Sequence, residues 1–139
     1  MLRAVLDTNV LISARRSRTG ASNELLRRAI LGDVLLVSSV SLFMEYEAVL
    51  MRPKHLLSRG LSRNSVEAFL DLLAERIEAV EVYYSWRPQL DDPADEMVLE
   101  AAINGQADYI VTFNQRHFLV AEQFGIAIAD PATLLRSMR

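Results

Sequence analysis

An aspartate stands directly after a short apolar run near the start of the chain, Leu2-Arg3-Ala4-Val5-Leu6-Asp7, and is followed at once by Thr8 and Asn9. A carboxylate at the end of a buried strand faces the crevice beyond the strand ends, where sites form in α/β proteins. Its hard oxygens suit a divalent cation such as Mg²⁺ or Mn²⁺. Three further acids can meet it, Glu45, Asp92 and Asp95, and Asn114 offers a neutral oxygen. Asp92 and Asp95 are three residues apart at the start of a helical stretch, so both fit one face of it. Carboxylates gathered in this way repel one another unless a cation or a retained proton sits among them. Around one or two ions they would make a phosphodiester hydrolase, because such ions lower the pKa of bound water and stabilise charge on the attacking and leaving oxygens. Each acid also has a plainer reading. Asp7 and Asp92 can be helix caps, Asp95 and Glu96 favourable first-turn acids, Glu45 a solvated charge and Asn114 a turn residue.

The elements that must position these residues alternate between strand and helix. Residues 2–6 read as a buried parallel strand, and 8–16 as a helix with Thr8 or Asn9 near its start. Residues 21–30 form a second helix ending at Gly32, Val34–Val37 a second strand, and 40–51 a third helix. Pro53 interrupts that helix, so the basic stretch 52–60 reads as a turn or short excursion. Ser62 caps a helix reaching about Ile77, and Val80–Val82 is a short strand. Trp86–Asp92 is a connection, and Asp92 or Pro93 opens a helix to about Asn104. Tyr109–Thr112 is a strand, 115–123 helix, Ile126–Ile128 a short strand and 131–138 a terminal helix. This order predicts an open, mostly parallel α/β sheet.

The 139 residues are 51% hydrophobic and carry a net charge of −3 without cysteine, so a single domain spanning 1–139 is expected, with no disulfide or cysteine chemistry. No apolar run approaches the ~18 residues of a membrane span, and the start lacks the pattern of a secretory signal. Cytoplasmic residence without membrane association is the expectation. The acidic balance gives no global attraction to nucleic acid but leaves room for a local basic surface.

Read together, several segments resemble the PIN-domain family, and most closely the toxin nucleases of prokaryotic toxin–antitoxin modules. They are Leu6-Asp7-Thr8-Asn9-Val10-Leu11-Ile12-Ser13, then Ser41 to Glu45 with Val49-Leu50-Met51-Arg52. Asp91-Asp92-Pro93-Ala94-Asp95-Glu96 and Leu99-Glu100-Ala101-Ala102 follow. Ala107-Asp108-Tyr109-Ile110-Val111-Thr112-Phe113-Asn114 and His117-Phe118 complete the set. The resemblance implies a three-layer α/β/α fold around a mostly parallel sheet of four or five strands. It implies a Mg²⁺- or Mn²⁺-dependent endoribonuclease with Asp7, Glu45 and Asp95 as its catalytic acids and Asp92 as an added metal ligand. Thr8, Asn9, Thr112 and Asn114 would support them. Asn114 stands where many PIN domains carry aspartate, so one negative charge is missing.

On this resemblance the substrate is RNA, with Arg15, Arg16, Arg18, Arg52 and Lys54 as candidate phosphate contacts. A homodimer and a partner antitoxin are also implied. Tyr83, Tyr84 and Trp86 read as packing residues before base-stacking ones, and His117 reads as structural. Two rivals stand beside the nuclease: a noncatalytic PIN module that binds RNA or an antitoxin, and another metal-dependent phosphotransfer enzyme. The second lacks an Asp-x-Asp-x-Thr segment after the first strand, and no G-x-G-x-x-G loop suggests a dinucleotide.

Overall fold

The computed structural model describes residues 1–84 and 89–138, without the side chains of residues 58 and 59. Trp86, a candidate stacking residue, lies outside the described residues. Five strands form one sheet in the order β3-β2-β1-β4-β5, and every neighbouring pair is parallel. They are β1 Arg3–Leu6, β2 Leu35–Ser38, β3 Ile77–Ala79, β4 Tyr109–Val111 and β5 Ala127–Ala129. The central strand β1 has Ala4, Val5 and Leu6 buried, as a strand covered on both faces requires. Edge strand β3 buries far less, with Glu78 and Ala79 exposed.

Between the strands run α1 Thr8–Arg16, α2 Ala21–Ile30, α3 Val40–Leu50, α4 Pro53–Arg59, α5 Arg63–Arg76, α6 Pro93–Asn104 and α7 Pro131–Ser137. A 3-10 segment, Gln115–Phe124, kinks at Phe118. α2 packs on α1, α5 and α7, whereas α6 lies along β1, β2 and β4 beside the 3-10 segment. Helices therefore flank the sheet in the three-layer arrangement. Apolar side chains from all of these layers, Leu11, Leu25, Leu36, Leu42, Leu99, Ile110 and Phe118 among them, meet in one core.

Two local expectations change. The basic stretch after Arg52 is helical, because Pro53 sits in the first turn of α4, where its missing N–H costs nothing. β3 lies three residues earlier than Val80–Val82: Ile77, Glu78 and Ala79 pair with Leu36, Val37 and Ser38. The helix over 8–16 stands as expected, opening at Thr8 with Asp7 as its cap.

The chain runs outward from β1 through β2 to β3, then returns to lay β4 on the other side of β1. The sheet thus reverses between β1 and β4, and ligands of open α/β sheets bind beyond the carboxyl ends of strands at such a reversal. Asp7 follows β1 and Thr112 follows β4 at this point.

Candidate active site

Asp7 is still held by the sheet through its backbone, its N–H donating to the Val111 carbonyl at 2.9 Å. Beyond it the chain turns into α1, and the Asp7 side chain caps that helix by accepting from Thr8 N at 2.7 Å on Oδ1. The other oxygen, Oδ2, accepts from the Thr112 hydroxyl at 2.7 Å. The same hydroxyl oxygen accepts from Asn114 N at 2.9 Å. Thr112 is fully buried and Asp7 is 5% exposed, so both carboxylate oxygens are fixed in orientation. Burial pushes the Asp7 carboxyl above the usual carboxylate range, and the hydrogen bonds from Thr112 and Thr8 only partly reverse this. One side chain is thus both the cap of α1 and a buried carboxyl tied to Thr112.

The layer beneath is polar where it must be. Tyr46, buried on α3, donates its hydroxyl to the Leu6 carbonyl, one residue before Asp7. Its phenol is raised by burial and then by the charge of Asp7, which places the two close together. Sequence reasoning used Tyr46 only as an apolar-face residue. The available signal was its hydroxyl, since a buried tyrosine needs a partner for its polar tip.

The second group of acids comes from the start of α6. Asp92 caps this helix, accepting from Ala94 N at 2.9 Å, and Asp95 follows one turn later with 13% of its side chain exposed. The Asp95 carboxyl is raised first by burial, then by the charges of Asp7 and Asp92. Asp95 therefore feels the charge of both Asp7 and Asp92. His117 Nδ1 lies 3.3 Å from Asp95 Oδ2, where an imidazolium would favour ionised Asp95 and Asp7. His117 is half exposed beside Asp95, while Phe118 next to it enters the core. Asn114 holds this stretch through its backbone, its carbonyl accepting from His117 N at 3.0 Å. Its side chain makes no capping bond.

Glu96 is a first-turn acid of α6, as expected, and it is also buried. It is 3% exposed, and its Oε1 accepts from Gln89 N at 2.6 Å and Leu90 N at 2.7 Å. It fastens the incoming chain to α6 and so fixes where Asp91 and Asp92 stand. Gln89, Leu90, Asp91, Asp92, Asp95, Arg116 and His117 line an open groove there. Glu45 is half-buried on α3, and no described hydrogen bond or ion pair joins it to Asp7 or Asp95.

The basic residues divide. Arg16, Arg52 and Lys54 line one groove together with Ile12, Val49 and His55. Arg15 instead lies over the Phe69 ring at 4.9 Å. Arg18 is exposed, and its carbonyl accepts from Arg27 Nη2. Tyr83 and Tyr84 are exposed, not core: both backbone N–H groups donate to Asn104 Oδ1 at 2.9 Å.

The donor set suits a hard cation. Asp7 and Asp95 would offer carboxylate oxygens whose pKa values burial raises, and Asn9 Oδ1, two residues after Asp7, is buried without a hydrogen-bond partner. Among the described residues no group of three or more His, Asp or Glu side chains is placed to hold a metal ion. An open site remains compatible with this, because Mg²⁺ keeps several waters and is commonly held by one or two carboxylates together with substrate phosphates.

A parallel sheet reversing at a paired Asp–Thr, faced by two helix-start acids, defines an α/β protein with an acidic site at its switch point. The PIN-domain family profile matches residues 3–116, and the chain belongs to that family. No curated protein sequence gives a significant match. Among solved structures, the chain is similar to VapBC2 from Rickettsia felis, which was crystallised bound to a DNA fragment from the promoter. The TM-score is 0.63 at 16% identity, covering 92% of this chain and 98% of that one. It is also similar to FitAcB from Neisseria gonorrhoeae, with a TM-score of 0.50 at 21% identity over 93% and 98% of the two chains. At these identities the likeness is one of fold.

Proposed function

We propose that this PIN-domain chain is a Mg²⁺- or Mn²⁺-dependent endoribonuclease and the toxin of a toxin–antitoxin pair. The observation that carries the reading is the buried Asp7 carboxylate, oriented by Thr112 and Thr8 at the sheet reversal, whose charge acts on Asp95 at the start of α6. Asp7 and Asp95 would hold the cation, with Asp92 and Glu45 as further acids and Asn9 and Asn114 as neutral oxygens. A bound divalent ion supplies positive charge to the phosphate and lowers the pKa of water. Thr112 keeps Asp7 turned toward the site, and His117 limits the repulsion between Asp95 and Asp7. Arg16, Arg52 and Lys54 share a groove and are the favoured phosphate contacts; Arg18 is exposed for the same task, whereas Arg15 is engaged with Phe69.

The toxin role is supported by membership of the PIN family and by fold likeness to toxin–antitoxin assemblies. It carries with it an antitoxin partner, a homodimer and a cytoplasmic location. Among the described residues no helix is long and apolar enough to cross a membrane. A second reading, a noncatalytic PIN module that binds RNA or an antitoxin, is favoured by the missing third converging acid and by the neutral Asn114.

One experiment separates the two. Wild type, Asp7→Asn and Asp95→Asn are incubated with a mixed pool of structured RNAs in Mg²⁺, Mn²⁺ or EDTA. The nuclease cleaves with either metal and loses cleavage in both variants and in EDTA. Binding without cleavage by the wild type supports the noncatalytic module. Cleavage that survives both substitutions and EDTA removes the proposed site.

A further inference from the structure

Phe113 stands between the two residues that complete the Thr112 hydrogen-bond relay, yet it is 49% exposed. The reason is local. Asn114 N donates back to Thr112 Oγ1 at 2.9 Å, which closes a tight turn and leaves Phe113 at its tip. A single exposed apolar ring is ordinary on a protein surface. The position of this one is not, because Phe113 lines a groove with Asn9, Ile12, Ser13, Arg16 and Ser17. Asn9, Ile12, Ser13 and Arg16 are spaced along one face of α1. Arg16 lies about 10 Å along the helix axis from Asn9, at ~1.5 Å per residue. Ile12 and Arg16 also line the neighbouring groove with Arg52 and Lys54. An apolar plate beside the Asp7–Thr112 pair thus opens into a cationic trough.

These two surfaces match the two halves of a nucleotide, a flat base and a charged phosphate. We propose that Phe113 stacks on a nucleobase of single-stranded RNA next to the bond to be cut, and thereby selects unpaired over duplex RNA. The inference rests on the ribonuclease reading and adds a specificity determinant to it. Bases in a duplex are stacked on one another and offer no free face, whereas splayed single-stranded bases do. Aromatic stacking of this kind tolerates sequence changes, since every base has such a face.

The test uses the full chain carrying Asp7→Asn to block turnover, and a short single-stranded oligoribonucleotide containing 2-aminopurine. Stacking on Phe113 quenches the probe. Phe113→Ala is expected to remove the quenching and weaken binding about 5- to 150-fold, and Phe113→Trp to restore both. The salt dependence of binding stays the same in Phe113→Ala but falls in Arg16→Ala, because only the latter removes a phosphate contact. Unchanged affinity and quenching in Phe113→Ala, or an equal loss on the matching duplex, overturns the proposal. Failure of the ribonuclease reading looks different: the wild-type chain with Mn²⁺ leaves the same oligoribonucleotide uncut, whether or not Phe113 quenches the probe.

Discussion

Thr112→Val replaces a buried hydroxyl by a methyl group of similar shape and removes two hydrogen bonds at once, the one donated to Asp7 Oδ2 and the one accepted from Asn114 N. The first goes to a carboxylate and contributes about 1.5–3 kcal/mol; the second leaves a partly buried N–H short of a partner, for a combined loss of about 2–4 kcal/mol. With an unfolding entropy of about 2.1 cal/mol/K per residue, 139 residues give about 3.4 °C per kcal/mol, so the melting temperature should fall by about 7–14 °C at pH 7.5. The loss has a pH signature. Asp7 already has a raised pKa, and the Thr112 bond is the largest influence pulling it down. Removing that bond raises the folded-state pKa further. The ionised carboxylate is then penalised fully above that pKa, and the penalty lifts as pH falls through it and the proton returns. Differential scanning calorimetry in EDTA should therefore show a smaller difference from wild type at pH 4.5 than at pH 7.5. Thr112→Ser, which keeps the hydroxyl, should cost only about 1 kcal/mol for the lost methyl. A Thr112→Val deficit of equal size at both pH values, or one no larger than that of Thr112→Ser, would refute the relay.

Other consequences follow from the same contacts. Asp95→Asn relieves repulsion with Asp7 and Asp92, so without metal it should raise stability at pH 7.5 by about 0.5–2 kcal/mol. The sign reverses the usual carboxylate case. A raised folded-state pKa makes ionisation costly, so the gain vanishes as pH drops below the unfolded value of about 3.9; a lower melting temperature at pH 7.5 in EDTA counts against it. Glu96→Ala strands the Gln89 and Leu90 N–H groups and should cost about 2–4 kcal/mol. Glu96→Gln, which keeps one acceptor oxygen, should lose less, and hydrogen exchange at those two amides reads the difference directly. Tyr46→Phe leaves the Leu6 carbonyl without its donor and should cost about 1–2 kcal/mol in chemical denaturation; no change would show the bond to be dispensable.

Much of the fold was legible because the chain is locally consistent. Apolar runs, Gly and Pro punctuation and Ser or Asp caps agree on where the elements lie, and Ser62 does cap α5 by accepting from Ser65 N at 3.0 Å. The errors arose where one residue has two meanings. Pro53 reads equally as a helix breaker and as a helix opener, and only the chain after it decides. β3 is short and half exposed, so its position depends on pairing with β2 and leaves little trace in its own pattern. The acids could be named as candidates, since strand ends and helix starts share one edge of a parallel sheet. Which of them touch was not legible. The bonds joining Thr112 to Asp7, Tyr46 to Leu6 and Glu96 to the chain before α6 are tertiary, and no spacing rule reports them. Glu45 and Arg15 show the converse, since neighbours in sequence on a helix point to different partners: Tyr46 reaches Leu6 while Glu45 does not, and Arg16 lines a groove while Arg15 covers Phe69.

The central claim is that Asp7 and Asp95 together hold a divalent ion at the sheet reversal. Electron paramagnetic resonance of free Mn²⁺ titrated with the protein counts bound ions without requiring any catalysis. The account predicts saturable Mn²⁺ binding by wild type, strengthened by RNA and lost in both Asp7→Asn and Asp95→Asn. Absence of saturable binding with RNA present, or binding left intact by both substitutions, would contradict it.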